Sequence, residues 1–378
     1  MKIVIAPDSF KGSISAEHVC HSVAEGIRHV LPEVNIASFP LADGGEGTLY
    51  SIIQATNGNL MHAHVTDPLG RTIIADYGIL GDQETAFIEM AQASGYALLT
   101  NEERNPLMAT SYGTGELIKH ALDAGFRKFI IGLGGSATND AGIGMLQALG
   151  VRFLTKQGDP IPEGVLGLNE LATIDENSLD KRLLDSTFTI ASDVTNVLCG
   201  PKGASAVFGP QKGATPEMVK KLDRALTQFA EVVTKQKGLD IKNIAGGGAA
   251  GGMGAGLIAF LHATVQSGIN VIIEATGIDS VINGADLVIT GEGKLDEQTL
   301  SGKVIAGITQ ISNKYRVPTI ALCGGVNMEL EHIKQLGLMA AFSIVPGPCS
   351  LQQAIDHAPS WITNRTEAIM SIVKQYHY

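Results

Sequence analysis

Short β-branched apolar runs alternate along the chain with longer stretches whose apolar residues recur at helical spacing. That alternation predicts an α/β fold built on parallel strands. The runs KIVIA (2–6), NIASFP (35–40), KFIIGL (128–133), TFTIAS (187–192), ADLVIT (285–290), PTIALC (318–323) and AAFSIV (340–345) are nearly continuous in apolar residues. Strands covered on both faces read this way. Helices are predicted at 15–30, 112–124, 140–149, 216–236, 302–313 and 351–374. In the first, Val19, Val23 and Ile27 fall on one stripe.

The stretch HAHVTDPLGRTIIADYGILGDQETAFIEMA (62–91) breaks the pattern. It alternates at period two, with turns at Asp67-Pro68-Leu69-Gly70 and Gly81-Asp82, and predicts an antiparallel meander. The expectation is one domain inserted in another. Residues 1–44 and 276–378 form a flavodoxin- or Rossmann-like domain with five parallel strands. Residues 45–275 form an α/β domain with a mixed sheet.

Composition narrows the partners. The 378 residues suffice for two or three domains, and 44% hydrophobic with 17% charged residues marks a folded chain. A net charge of −11 argues against nucleic acid or an anionic membrane as main partner. Cys20, Cys199, Cys323 and Cys349 are widely spaced, which suits a reducing cytosol and offers neither a zinc site nor a disulfide frame. The N-terminal run reads as a strand, not a signal peptide, and the glycine-broken stretch 243–261 is no membrane span. A cytoplasmic location is expected, and a homo-oligomer is left open.

The chemistry gathers at strand ends. GLGGSATNDAG (132–142) follows an apolar run and leads into a helix. Bare backbone N–H groups at Gly134 and Gly135, with the hydroxyls of Ser136 and Thr138, suit an anion such as phosphate. Asp140 can hold a metal, act as a base or cap the helix. In APDSFKGS (6–13), Asp8, Ser9 and Lys11 follow the first strand, and ligands of open parallel sheets sit at carboxyl ends. LADGGEGT (41–48) brackets Gly44 and Gly45 with Asp43 and Glu46, a pairing that suits Mg²⁺ or an ordinary turn. ITGEGKLDEQTLSGK (289–303) carries Glu292, Lys294, Asp296 and Lys303, with Thr299 and Ser301 placed to cap the next helix. Asp193 in ASDVTN (191–196) and Lys212 in VFGPQKGA (207–214) complete the set.

Other chemistries fit less well. Gly132, Gly134 and Ala137 match a dinucleotide pattern, as do Gly246, Gly248 and Gly251, but no acid follows VRFLT (151–155) where a ribose would need it. Neither a P-loop, an HExxH nor a GxSxG motif is present. Five strand ends combining glycine, carboxylate and lysine or hydroxyl are what phosphoryl transfer requires.

PDSFKGSISA (7–16), PLADGGEGT (40–48), GLGGSATNDAG (132–142), VFGPQKGA (207–214), GAAGGMGAGL (248–257) and DLVITGEGKLDEQT (286–299) together closely resemble the bacterial glycerate kinase family, in order and over essentially the whole chain. The resemblance implies ATP-dependent phosphorylation of D-glycerate with Mg²⁺, giving 2-phosphoglycerate, by two α/β domains with a cleft between them. Lys294 stands where arginine is common.

Residue roles rest on chemistry alone. Lys11 pairs with the glycerate carboxylate or the transferring phosphate. The glycine loops 132–135 and 246–252, with Gly247 and Gly251, cradle ATP phosphates or approach the adenosine. Asp193 is the first choice of base and Asp296 of metal ligand, with Asp43, Asp140 and Glu292 as further metal candidates. Lys294 and Lys212 stabilise charge on the γ-phosphoryl group. An NAD-dependent oxidoreductase and a non-catalytic sugar-acid or nucleotide sensor are the competing readings.

Overall fold

A computed structural model describes the chain except residues 43, 46, 163, 298, 300–302 and 378. In chain order the strands are β1 (Lys2–Ile5), β2 (Asn35–Ser38), β3 (Asn59–Thr66), β4 (Thr72–Ile79), β5 (Thr85–Glu89), β6 (Lys128–Gly132), β7 (Arg152–Leu154), β8 (Thr173–Asp175), β9 (Thr187–Ala191), β10 (Thr264–Gln266), β11 (Leu287–Leu295), β12 (Thr319–Val326) and β13 (Ala340–Ser343). Two compact units divide them. The first comprises Met1–Asp43, Tyr50–Asn57 and Ser267–Tyr378; the second comprises Gly44–Leu49 and Gly58–Gln266.

The first unit holds a five-stranded sheet, ordered β13-β12-β11-β1-β2, with every pair parallel. Counted within the unit, the order is two-one-three-four-five, the doubly wound flavodoxin-like arrangement. Chain leaves β1 by the helix Ala16–Val30 to reach β2 on one side, while β11 lies on the other. The switch point therefore falls between β1 and β11. Ile3, Val4 and Ile5 are fully buried, as a strand covered on both faces must be.

The helix Ala16–Val30 starts where Ser15 accepts a hydrogen bond from the His18 backbone N–H, a capping contact. Its stripe of Val19, Val23 and Ile27 packs with Ile362 and Met370 of the C-terminal helix. That C-terminal stretch is not the single helix expected. It forms Leu351–Asp356 and Ala358–His377, and Pro359, which has no N–H to donate, sits in the first turn of the second piece, where proline is tolerated.

The second unit holds a six-stranded mixed sheet, ordered β10-β9-β6-β5-β4-β3. The expected meander is its antiparallel edge: β3 pairs β4 and β4 pairs β5, after which β5, β6, β9 and β10 run parallel. Phe129 and Phe188, on adjacent strands, stack with centroids 4.8 Å apart. A second aromatic group, Phe153, Phe229 and Phe260, closes at 6.3 to 6.5 Å, and each such pair adds about 0.5–1.5 kcal/mol beyond its burial.

Residues 267–275 were expected in the inserted domain and group with the first unit. The helix Gly268–Thr276 packs on the helix Val304–Lys314 so closely that a Cβ on Gly307 would meet Ile269 Cγ1 at 2.6 Å. Residues 50–57 also group with the first unit. The helix expected from 140 begins at Ile143, because Ala141 and Gly142 take positive φ of 55° and 74°, which a right-handed helix excludes.

Gly26 sets the distance between the first and last helices. A Cβ there would meet Thr363 O at 2.5 Å and Thr366 Cβ at 2.8 Å. Alanine would gain about 1 kcal/mol of helix propensity but cost about 1–3 kcal/mol of overpacking. Gly26→Ala is therefore expected to lower the urea midpoint at unchanged slope; a midpoint at or above wild type would show that the helices part freely.

Candidate active site

Residues 6–13 and 289–296 are far apart in sequence and meet at the carboxyl ends of β1 and β11. The ladder continues past the strand: Ala6 N–H donates to Ile289 O and Asp8 N–H to Gly291 O, both at 2.8 Å. Asp8 is buried, and its Oδ1 accepts the Ser9 backbone N–H at 2.6 Å. The turn that follows closes through Phe10 N–H to Ile14 O at 2.9 Å. Gly12, at φ 76°, supplies the left-handed residue it needs. Phe10 anchors the turn in the core, and Lys11 is exposed at its tip.

β11 outruns its predicted end. Pairing with β12 carries it through Lys294↔Gly325 to Leu295↔Val326, so Glu292 and Lys294 stand on the strand and share a face two residues apart. Glu292 is buried and accepts a short hydrogen bond from Thr299 Oγ1. Burial pushes its pKa up, opposed by that bond and by the charges of Lys303 and Lys11. Thr299 was expected to cap the next helix; instead it braces Glu292 and also accepts the Asp296 N–H at 3.3 Å. Lys294 Nζ lies 3.0 Å from Asp296 Oδ2.

Asp8, Ser9, Lys11, Glu292, Gly293, Lys294, Asp296 and Lys303 line one cavity of about 320 Å³. Three lysines face three carboxyl groups, one of them shifted by burial toward its neutral form. Such a wall receives oxyanions and can exchange a proton with them. The sequence-named residues Asp8, Ser9, Lys11, Glu292, Lys294 and Asp296 are thus brought together within the first unit.

The second unit gathers another group. After β6, Gly134 and Gly135 lie half-buried on the loop, and Ser136, Thr138, Asn139 and Asp140 are buried. Lys212 reaches the loop from the 3₁₀ turn Pro210–Lys212 and donates from Nζ to Ser136 Oγ at 2.7 Å and Thr138 O at 2.6 Å. Desolvation pushes its pKa from the usual 10.5 down to about 7, against the upward pull of Asp140. Thr138 Oγ1 and Asn139 Oδ1 are buried without a hydrogen-bond partner, a condition that costs about 1–3 kcal/mol each.

Asp140 braces the start of the helix that follows. Its carboxylate accepts Ser111 N–H and Oγ–H at 3.0 and 2.7 Å, Gly142 N–H at 3.1 Å and Gly144 N–H at 3.3 Å. Three of those donors converge on Oδ2 and one on Oδ1. Gly251 packs closely on the same loop. A Cβ on it would meet Thr138 O at 2.1 Å, and its carbonyl accepts the Ala141 N–H at 3.0 Å. Gly247 likewise faces backbone, with Ile244 O 3.0 Å from such a Cβ. Gly251 and Gly252 thus lie against residues 138–141, while Gly246 and Gly248 lie against residues 194–197. Asp193 is exposed just past the end of β9. Gly44 is buried and Gly45 half-buried; Asp43 and Glu46 lie outside the described residues, as does Ser301.

VRFLT, the run after the 132–137 turn, supplies β7, which pairs antiparallel with β8 in a separate two-stranded sheet; the next parallel neighbour of β6 is β9, with Asp193 just past its end.

Residues 3–374 match the family model described as the glycerate kinase family. The chain belongs to the glycerate kinase family. It is 46% identical over 374 residues, 99% of this chain and 98% of the relative, to a glycerate kinase of Bacillus subtilis (strain 168). It is 48% identical over 354 residues, 94% and 93% of the two chains, to the glycerate 2-kinase of Escherichia coli (strain K12). A crystal structure from Salmonella typhimurium LT2, named as a candidate glycerate kinase 2, superposes with a TM-score of 0.89 at 47% identity, covering 100% of this chain and 99% of that one. Membership in this kinase family agrees with the lysine-lined strand ends and not with a dehydrogenase.

One residue of the family fold escaped the sequence reading. Glu89, at the end of β5, is fully buried and accepts Gly47 N–H and Leu49 N–H, each at 2.8 Å. It fixes the backbone just after the Gly44-Gly45 turn. The signal was available, since an acid ends the otherwise apolar strand TAFIE.

Lys212 yields a pH prediction. Below about pH 7 the fold buries an ammonium; between about 7 and 10.5 the unfolded chain holds a proton that the folded chain has released. Stability rises with pH wherever the unfolded state binds more protons. Relative to Lys212→Met, the wild-type urea midpoint is expected to climb from pH 7 to higher pH. Parallel curves would show that Lys212 titrates as an ordinary lysine.

Proposed function

We propose that the chain catalyses ATP-dependent, Mg²⁺-assisted phosphorylation of D-glycerate to 2-phosphoglycerate in the cytoplasm. The observation that carries the reading is the convergence of Lys11, Lys294 and Lys303 with Asp8, Glu292 and Asp296 at the switch point between β1 and β11. Ligands of doubly wound sheets bind at that place. Family membership supplies the phosphoryl acceptor class. Among the described residues no helix is long and apolar enough to cross a membrane.

In this reading Lys11 and Lys294 neutralise the transferring phosphoryl group, whose charge is spread over its oxygens. Asp193 orients and deprotonates the glycerate hydroxyl. Ser136 and Thr138, on the loop with Gly134 and Gly135, take anionic oxygens through hydroxyl and backbone donors, and Lys212 acts by holding that loop. The unpaired Thr138 Oγ1 supports a polar role for the loop.

Mg²⁺ needs few protein ligands. Among the described residues no three His, Cys, Asp or Glu side chains group as a metal site, but one or two carboxylates with waters and phosphate oxygens suffice for this ion. Asp296 and Glu292 present hard oxygens on the lysine-lined wall, so the donor set fits. Asp296 and Glu292 would hold the ion, which would supply positive charge to phosphate oxygens.

Phosphorus NMR of the protein with ATP, Mg²⁺ and D-glycerate is expected to show 2-phosphoglycerate, lost when glycerate is omitted. No phosphoglycerate from folded protein would sink the reading. Lys11→Ala and Asp193→Ala should each lower kcat/KM by at least about a hundredfold, the lower end of what a positioned acid–base group contributes. A near-normal rate in a folded variant removes that residue from its role.

A further inference from the structure

A second cavity adjoins the lysine-lined one, and its chemistry is different. It has a volume of about 510 Å³, within the roughly 300–1,000 Å³ range of small-molecule sites. It opens at the carboxyl ends of β11, β12 and β13. Phe10, Ile344, Val345, Leu351 and Ile355 provide apolar walls, and Asn327 provides an amide. Lys11, Gly293 and Lys294 belong to both cavities. One continuous surface therefore runs from apolar walls to clustered lysines.

Glycerate cannot use that surface. Every carbon of glycerate carries oxygen, so the apolar walls would bury against nothing that gains from it. A ligand that does gain joins a weakly polar body to an anionic tail. Gly325 leaves space for such a body: a Cβ there would meet nothing within 4 Å. Asn327 offers both a donor and an acceptor to the edge of a heterocycle. Leu351, 77% exposed on the rim, gains an apolar partner if a ring enters.

We propose that this cavity holds the purine nucleoside of ATP, with its phosphates directed over Lys11 and Lys294 into the lysine-lined cavity. The nucleotide is thereby assigned to the first unit, at the ends of β11 to β13. The assignment rests on the kinase reading above and adds the location that reading leaves open.

Photolabelling of the wild-type protein with azido-adenosine triphosphate tests it directly. The label is expected in peptides spanning 10–13, 324–327 or 344–358, suppressed by ATP and not by D-glycerate. ATP-suppressible label in 132–142 or 246–256 would overturn the proposal. Gly325→Leu fills the open space and is expected to raise KM for ATP at least about tenfold, equivalent to about 1.4 kcal/mol of binding, with KM for glycerate changed by less than about twofold. An unchanged KM for ATP would equally overturn it. Protein that makes phosphoglycerate but is labelled elsewhere defeats the location alone; protein that makes none defeats the kinase reading beneath it.

Discussion

The parallel pairing of β1 with β11 is the contact on which the first unit depends. Ile3, Val4 and Ile5 lie opposite Leu287, Val288 and Ile289, joining segments separated by most of the chain. Without it the sheet would split into β1-β2 and β11-β12-β13, and no switch point would exist. The ladder's continuation to Asp8 N–H and Gly291 O at 2.8 Å carries the same constraint into the site. Lys11 and Glu292 face one cavity because two strands hold register beyond their hydrophobic cores. The closure entropy of so long a loop grows only slowly with its length, so an inserted unit is thermodynamically tolerable.

The second unit solves a different problem. Its loop after β6 is buried, and a buried loop must find partners for its polar groups. Asp140 satisfies four donors, Lys212 satisfies Ser136 Oγ and Thr138 O, and Gly251, Gly252 and Gly254 sit where a Cβ would crowd neighbouring backbone atoms at 2.1 to 3.0 Å. The same residues that resemble a phosphate loop in sequence are thus partly consumed in holding one another. Thr138 Oγ1 and Asn139 Oδ1 are the exceptions.

Much of this organisation was legible beforehand. The buried parallel strands announced themselves as apolar runs, and the meander announced itself by period two, because burial on two faces and on one leave different patterns. Strand ends that run short were less legible. β11 and β12 extend through glycine-rich GEGKL and CGGV, where propensity is weak and only mutual pairing makes a strand. β7, β8 and β10 are three residues each, too short to show a period. The helix break before Pro359 was written in the sequence, but the helical apolar pattern around it masked the interruption.

By itself the sequence determined the fold class, the residue types at each strand end and, through its long motifs, the family. These depend on local pattern and on side-chain chemistry, both of which are readable one residue at a time. Tertiary structure decided which acids are available. Asp140 and Glu292 look equivalent in the sequence, but Asp140 accepts four hydrogen bonds from neighbouring loop donors while Glu292 lines a cavity among lysines. It likewise decided that the glycines near 251 meet backbone and that Gly325 meets open space. Such differences arise from contacts between segments far apart in the chain, and no local pattern records them.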